Sequence, residues 1–273
     1  MKQKFLQKKV GLALGSGGVK GLAHIGVIKA LLENDIPIDY IAGSSIGALI
    51  GAHFAAEKDI KNTEKIALET SWKNAIVLLD PGLRGGIIKG DKTEKLIKQW
   101  LNNHTFDSLK IPLTVIATDL LSGQEVDFSS GNLINALRAS ISVPPIFQPV
   151  KFQGYLLCDG GLTNPLPDDI VSKMGAQVVI TVNLDSGKFM DLKNPFDGNS
   201  MTRVSIRALN ILRHQLAKKT LTSSNFVIEP DLAEIGLVGW NRFFDSKQVK
   251  QIVEAGYTAT LPIIKPLIKS LNK

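Results

Sequence analysis

Gly43-Ser44-Ser45-Ile46-Gly47 constrains the fold of this chain more than any other stretch. It follows a mostly apolar run, Ile38–Ala42, and precedes a small-residue run, Ala48–Ala56. Gly-x-Ser-x-Gly at a strand-to-helix junction needs a sharp turn that pushes the central serine outward. The reading is a strand over 38–42, a turn, and a helix over 48–56. A serine at a helix start also caps helices for purely structural reasons, so five residues alone do not decide the chemistry. The spacing selects Ser45 and leaves Ser44 to pack or bond locally. A serine so exposed can attack a carbonyl carbon.

Two further segments add weight. Upstream, Val10–Leu14 reads as a buried strand running into Gly15-Ser16-Gly17-Gly18-Val19-Lys20-Gly21, with a helix over 21–33. Glycines let neighbouring N–H groups point at one spot, and the helix adds its positive end. Such a nest suits a phosphate or the oxygen of a tetrahedral intermediate. Ser16 reads as a loop hydroxyl. Downstream, the strand Tyr155–Cys158 delivers Asp159-Gly160-Gly161. Asp-Gly is a common turn pair, and taken singly that explanation suffices. Together the three motifs end three predicted strands, and ligands of open α/β sheets bind at that edge. A serine, an anion nest and a carboxylate then share one crevice.

In this order, Gly-x-Gly-Gly-x-Lys-Gly, Gly-x-Ser-x-Gly and Asp-Gly-Gly resemble the patatin-like phospholipase family. Ala139–Val150 is similar to its Ala-Ser-x-x-x-Pro-x-x-Phe-x-Pro segment, Ala117-Thr118-Asp119 to its strand-end Ala-Thr-Asp, and Asn164–Pro167 to its Asn-x-x-Pro. The matched region runs from about Val10 to Ala176. The resemblance implies a Ser–Asp dyad on a three-layer α/β/α fold, with Ser45 as nucleophile and Asp159 as general base. It implies an oxyanion hole from the N–H groups of Gly17 and Gly18, with Val19 a third candidate. Gly15, Lys20, Gly21, Gly43, Gly47, Gly160 and Gly161 are the supporting motif positions. Lys20 stands where the family usually has arginine, which keeps the charge and loses the planar fork. The implied substrate is a lipid ester, with neither cofactor nor metal.

Independently of the family, a carboxylate with an ordinary pKa near ~3.9 is a weak base for a serine hydroxyl. Burial in a dry crevice raises it toward the useful range.

The remaining sequence sets bounds. With 273 residues, 44% hydrophobic and 21% charged, the chain has the make-up of a globular protein. No low-complexity linker divides it, so one domain is expected. Cys158, the single cysteine, argues against a disulfide framework and reads as a small core residue. The basic start, residues 1–9, lacks the apolar core of a secretory signal. No apolar run reaches the ~20 residues that span a bilayer, so a cytoplasmic location is expected. The net charge of +7 favours anionic partners such as a membrane surface, with transient contact expected. Nucleic acid is not expected, since His24, His53, His104 and His214 are scattered and no basic–aromatic motif occurs.

Helices are expected over 59–70, from a cap at Asp91, over 133–140, 202–219 and 247–261. Strands are expected over 113–117, 178–182 and 226–228. Asp168-Asp169, the one acidic pair that resembles a calcium ligand set, reads as a helix start. The alternation predicts a mostly parallel sheet with helices on both faces. Residues 76–88 are a candidate lid, 237–244 a candidate lipid contact, and 185–200 a polar surface loop. Three rival functions stand: an α/β-hydrolase triad with His214 as base, a nucleotide-binding module using the glycine loop, and a non-catalytic lipid-binding protein.

Overall fold

The structure, a computed structural model, describes residues 8–73, 86–185, 198–232 and 246–272. Eight strands form one sheet: β1 Val10–Leu14, β2 Tyr40–Ser44, β3 Leu113–Asp119, β4 Glu125–Phe128, β5 Val150–Phe152, β6 Tyr155–Asp159, β7 Val178–Val182 and β8 Phe226–Ile228. The neighbours run β5-β6-β3-β2-β1-β7-β8, and β4 pairs with β3. β3, β2, β1, β7 and β8 are parallel. β4, β5 and β6 make antiparallel pairs. The central strands β1, β3 and β7 are buried on both faces, which is why they read as continuous apolar runs.

The expected α/β architecture is present, with corrections. The parallel core β3-β2-β1-β7-β8 is as expected, and the antiparallel strands β4, β5 and β6, the last carrying Asp159, are added to it. β4 and β5 were not expected; they are three or four residues long and carry charged side chains outward. β2 lies two residues later than read, because Asp39 precedes the ladder and accepts from the Val10 N–H and the Lys9 ammonium.

Helices cover both faces: α1 Ala23–Glu33, α2 Ile46–Glu57, α3 Ile60–Lys73, α4 Asp91–Trp100, α5 Leu133–Ser140, α6 Asp168–Lys173, α7 Met201–Thr220 and α8 Ser246–Leu271. Strand alternation divides the core. Leu12, Leu14, Ile41, Val115 and Val182 join the large cluster that includes residues of α1, α2, α5 and α8. Ala13, Ala42, Ile116 and Val179 face the opposite way, onto Ile170 and Val171 of α6.

Three helix ends differ from expectation. A 3₁₀ turn, Gly18–Leu22, precedes α1. α8 continues ten residues past Leu261 with Pro262 and Pro266 inside it. Each interior proline costs about 3 kcal/mol. Against this, Val249, Ile252, Val253, Ile264, Leu267 and Leu271 are buried, at about 1.5–3 kcal/mol each. Packing therefore outweighs the prolines. The contact with α1 is backbone to backbone: a Cβ on Gly256 would lie 2.0 Å from the Ala23 carbonyl oxygen, and one on Gly26 would lie 1.8 Å from that of Val253. Asp91 is the first residue of α4 and not its cap, which is Gly90.

The topology around β3 fixes the site. β2 pairs with residues 113–116 of β3, β4 with 115–118, and β6 with 117–119 (hydrogen-bond registers). β4 overlaps both others, so it must occupy the opposite edge from them. β2 and β6 therefore lie end to end along one edge of β3. Ser44 is opposite Ile116, and Asp159 is opposite the next residue, Ala117.

Candidate active site

Ser45 stands between β2 and α2 with φ 56° and ψ −125°. That backbone region is costly for a residue with a side chain, and such strain is kept only where the surroundings enforce it. Here the Ser45 N–H donates to Ser140 Oγ at 2.9 Å, and its carbonyl opens the helix by accepting from Ala48 and Leu49. Gly47 is required by crowding: a Cβ would lie 2.1 Å from the Leu14 carbonyl oxygen. Gly43 is the penultimate residue of β2 and packs against the backbone of Ala48.

The two strand ends bring the predicted pair together. Ser45 Oγ donates to Asp159 Oδ2 at 2.5 Å. The other oxygen, Oδ1, accepts from the Gly161 N–H at 2.8 Å. Asp159 is 3% exposed and Ser45 6%. Burial pushes the Asp159 carboxyl up to about 6, against the opposing pull of the Ser45 hydroxyl, the Gly161 N–H and the Arg213 charge. Gly160 and Gly161 open a 3₁₀ turn, and Gly160 lies against the Ile116 carbonyl oxygen.

The glycine loop lies beside this pair. Gly15 donates to the Val182 carbonyl, and Ser16 N–H to that of Pro165, within the Asn164–Pro167 segment. His24 Nε2 is 2.8 Å from the Gly15 carbonyl oxygen; burial holds its pKa down at about 4, so the neutral ring donates there. Gly17 precedes the 3₁₀ turn that Gly18 and Val19 begin, with Gly18 at φ 57°. N–H groups at the start of a helical turn have no partner within it. Gly21 packs on Ile46, the residue after Ser45. Lys20 turns away to the Leu184 carbonyl at 3.4 Å, and burial lowers its pKa.

Other predicted positions have structural surroundings. Ser44 is fully buried, and neither its hydroxyl nor that of Ser16 has a hydrogen-bond partner. Cys158 is buried, with its thiol pushed up to about 12 by burial. Asp119 organises the following turn by accepting from Ser122 and the Leu156 N–H. Asp168 starts α6 as expected, and also accepts from Thr222, Ser223 and Ser224 ahead of β8. His214 lies on α7, with Nδ1 2.6 Å from the Asp185 carbonyl oxygen. Of the candidate lid, residues 76–85 lie outside the described residues, as do 237–244 and 186–197. Ile88 bridges to Phe147.

Several surrounding residues went unread. Arg213 of α7 makes a two-point ion pair with Asp185, at 2.7 and 2.8 Å, and lines the cleft over Asp159 with Val143, Leu209 and Asn210. Arg138 is buried, bonds Ser142 Oγ and the carbonyls of Lys89 and Gly90, and stacks on Phe147 at 5.1 Å. The Ser142 carbonyl in turn accepts from the Asp159 N–H. Arg138 immediately precedes Ala139-Ser140, so its adjacency to that segment was the available signal. Asp185 and Arg213 are 28 residues apart and gave none.

The fold and site define an α/β protein with a serine–aspartate pair at a sharp strand-to-helix turn. The family profile described as patatin-like phospholipase matches residues 12–171. The chain belongs to the patatin-like phospholipase family. An uncharacterised NTE family protein of Mycobacterium tuberculosis is 39% identical over 181 residues, 66% of this chain and 50% of the relative. The Drosophila melanogaster neuropathy target esterase sws is 35% identical over 68% of this chain and 13% of its own length. Human patatin-like phospholipase domain-containing protein 6 is 34% identical over 70% and 14%. This chain thus spans half or less of these relatives. In fold, VipD of Legionella pneumophila superposes with a TM-score of 0.64 at 15% identity, over 95% of this chain and 67% of that one.

Proposed function

We propose that this protein is a serine acyl hydrolase of lipid esters that works through Ser45 and Asp159. The observation that carries this is the direct 2.5 Å contact between the hydroxyl of Ser45, held at a strained backbone angle, and the carboxylate of Asp159, which lines the cleft. With its pKa near about 6, Asp159 is ionised at neutral pH and basic enough to take a proton.

Ser45 Oγ attacks the ester carbonyl carbon and its proton passes to Asp159 Oδ2. The carbonyl electrons move onto oxygen, and the N–H groups of Gly17, Gly18 and Val19 are the proposed donors to that oxyanion. Each such donor is typically worth about 3–4 kcal/mol. Collapse breaks the C–O bond, and the leaving alcohol takes the proton from Asp159. Water then attacks the acyl-enzyme, giving a proton to Asp159, and the carboxylic acid departs as Ser45 regains it. The positive end of the 12-residue α2 favours the negative charge.

A His214 triad fits poorly, because an imidazole has no room between a hydroxyl and a carboxylate already in hydrogen-bond contact. The lipid character of the ester rests on family membership and on relatives named as esterase and phospholipase.

The test is a fluorophosphonate probe followed by peptide mass spectrometry, with a panel from short nitrophenyl esters to lysophospholipids and diacyl phospholipids. Labelling at Ser45, lost in Ser45→Ala, together with ester turnover is expected. Labelling elsewhere, or full turnover in Ser45→Ala, overturns the proposal.

A further inference from the structure

α7, Met201–Thr220, has two opposed faces. At 100° per residue, Leu209, Asn210 and Arg213 share one side and line the cleft over Asp159 and Gly161. His214 and Ala217 are buried on the same side. Met201, Val204, Ala208, Ile211 and Leu212 share the other and are exposed, with Met201 at 86% and Leu212 at 65%. Four of the nine exposed large apolar side chains of the described residues are on this one helix. A water-facing helix ordinarily places polar residues there.

The charge on α7 is one-sided as well. It carries Arg203, Arg207, Arg213, Lys218 and Lys219 and no carboxylate. Arg213 is matched by Asp185; Lys218 and Lys219 are exposed and continue the apolar stripe. An apolar stripe beside cations, on a helix without acidic residues, is the composition of a helix that lies in an anionic lipid interface. Among the described residues no helix is long and apolar enough to cross a membrane, so contact through α7 would be from one side. The cleft beneath it holds about 30 Å³, room for a water and too little for an acyl ester. α7 itself supplies Leu209, Asn210 and Arg213 to that cleft, so its outer face and the cleft lie on opposite sides of one helix.

We infer that the outer face of α7 docks on an anionic phospholipid surface and brings the Ser45–Asp159 cleft to its ester. This rests on the hydrolase proposal for its purpose and not for its measurement, which is binding. The test uses the full chain carrying Ser45→Ala, so that vesicles stay intact. Cosedimentation is measured with vesicles of phosphatidylcholine mixed with phosphatidylglycerol, and with vesicles of phosphatidylcholine alone.

Strong partitioning to the anionic vesicles alone is expected. Met201→Asp and Leu212→Asp are each expected to weaken it about tenfold or more. Lys218→Glu with Lys219→Glu, at exposed positions, supplies a second variant with the apolar stripe intact and is also expected to weaken it. Circular dichroism checks that each variant is folded.

Folded variants that partition like the parent overturn the inference, as does equal partitioning to both vesicle types. A chain that elutes as a dimer which Leu212→Asp splits also overturns it, since the stripe would then meet a second copy. The two proposals fail separately. Anionic docking without any ester turnover by the unsubstituted chain removes only the hydrolase reading. Ser45 labelling and ester turnover without docking remove only this one.

Discussion

Asp159→Asn is expected to remove ester turnover and, above neutral pH, to make the protein more stable. Burial raises the Asp159 carboxyl from its ordinary 3.8 to about 6. The unfolded chain therefore gives up this proton more readily than the folded one. An acid raised on folding contributes most below its unfolded pKa and loses that contribution as pH climbs to the folded value. At about 1.4 kcal/mol per tenfold change in proton affinity, the ionised carboxylate disfavours folding by about 3 kcal/mol at pH 8, and only about 0.5 kcal/mol of this remains at pH 4. Asparagine carries no such penalty. It keeps an acceptor for the Gly161 N–H but no longer accepts from the Ser45 hydroxyl, a loss of about 1 kcal/mol at either pH. Urea denaturation of both proteins at pH 4 and pH 8 cancels that constant loss. The stability difference between variant and parent should move in the variant's favour by about 2–3 kcal/mol from pH 4 to pH 8, or about 5 °C in Tm for a chain of this size. A difference that is flat with pH, or that grows toward acid, would refute the buried-carboxylate reasoning.

Three further outcomes are expected. For a soluble ester, kcat/KM rises from acid with an inflection near about 6 as Asp159 ionises; Arg213→Met, which removes the charge that favours the carboxylate, moves the inflection to higher pH. An unmoved limb in a pH–rate profile contradicts this. Gly47→Ala places a methyl 2.1 Å from a backbone oxygen that cannot rotate away, so soluble yield or urea stability collapses by several kcal/mol; a variant within ~0.5 kcal/mol of the parent denies the crowding. Cys158 stays unreactive to a thiol reagent in the folded protein and reacts in urea, since burial keeps the thiol protonated and covered; rapid native labelling contradicts its placement.

Much of the fold was legible because it rests on local rules. β1, β3 and β7 are apolar runs, and the elbow glycines mark the turn into α2. The misread ends are where local rules met stronger distant contacts. Pro262 signals a stop that the α1–α8 packing overrides, and Asp91 looks like a cap until Gly90 takes that position.

By itself the sequence determined which residues are the candidates for chemistry: the Ser45 elbow, the Asp159 strand end and the glycine loop, each written in a few contiguous residues whose backbone demands are local. Only the tertiary structure decided how they meet. Ser45 and Asp159 are 114 residues apart, and β6 must run antiparallel, end to end with β2 along one edge of β3, for the two side chains to touch. The Arg213–Asp185 pair and the two-faced α7 over the cleft were equally hidden. Strand order and direction are set by how whole faces bury against each other, and no short window of sequence contains that.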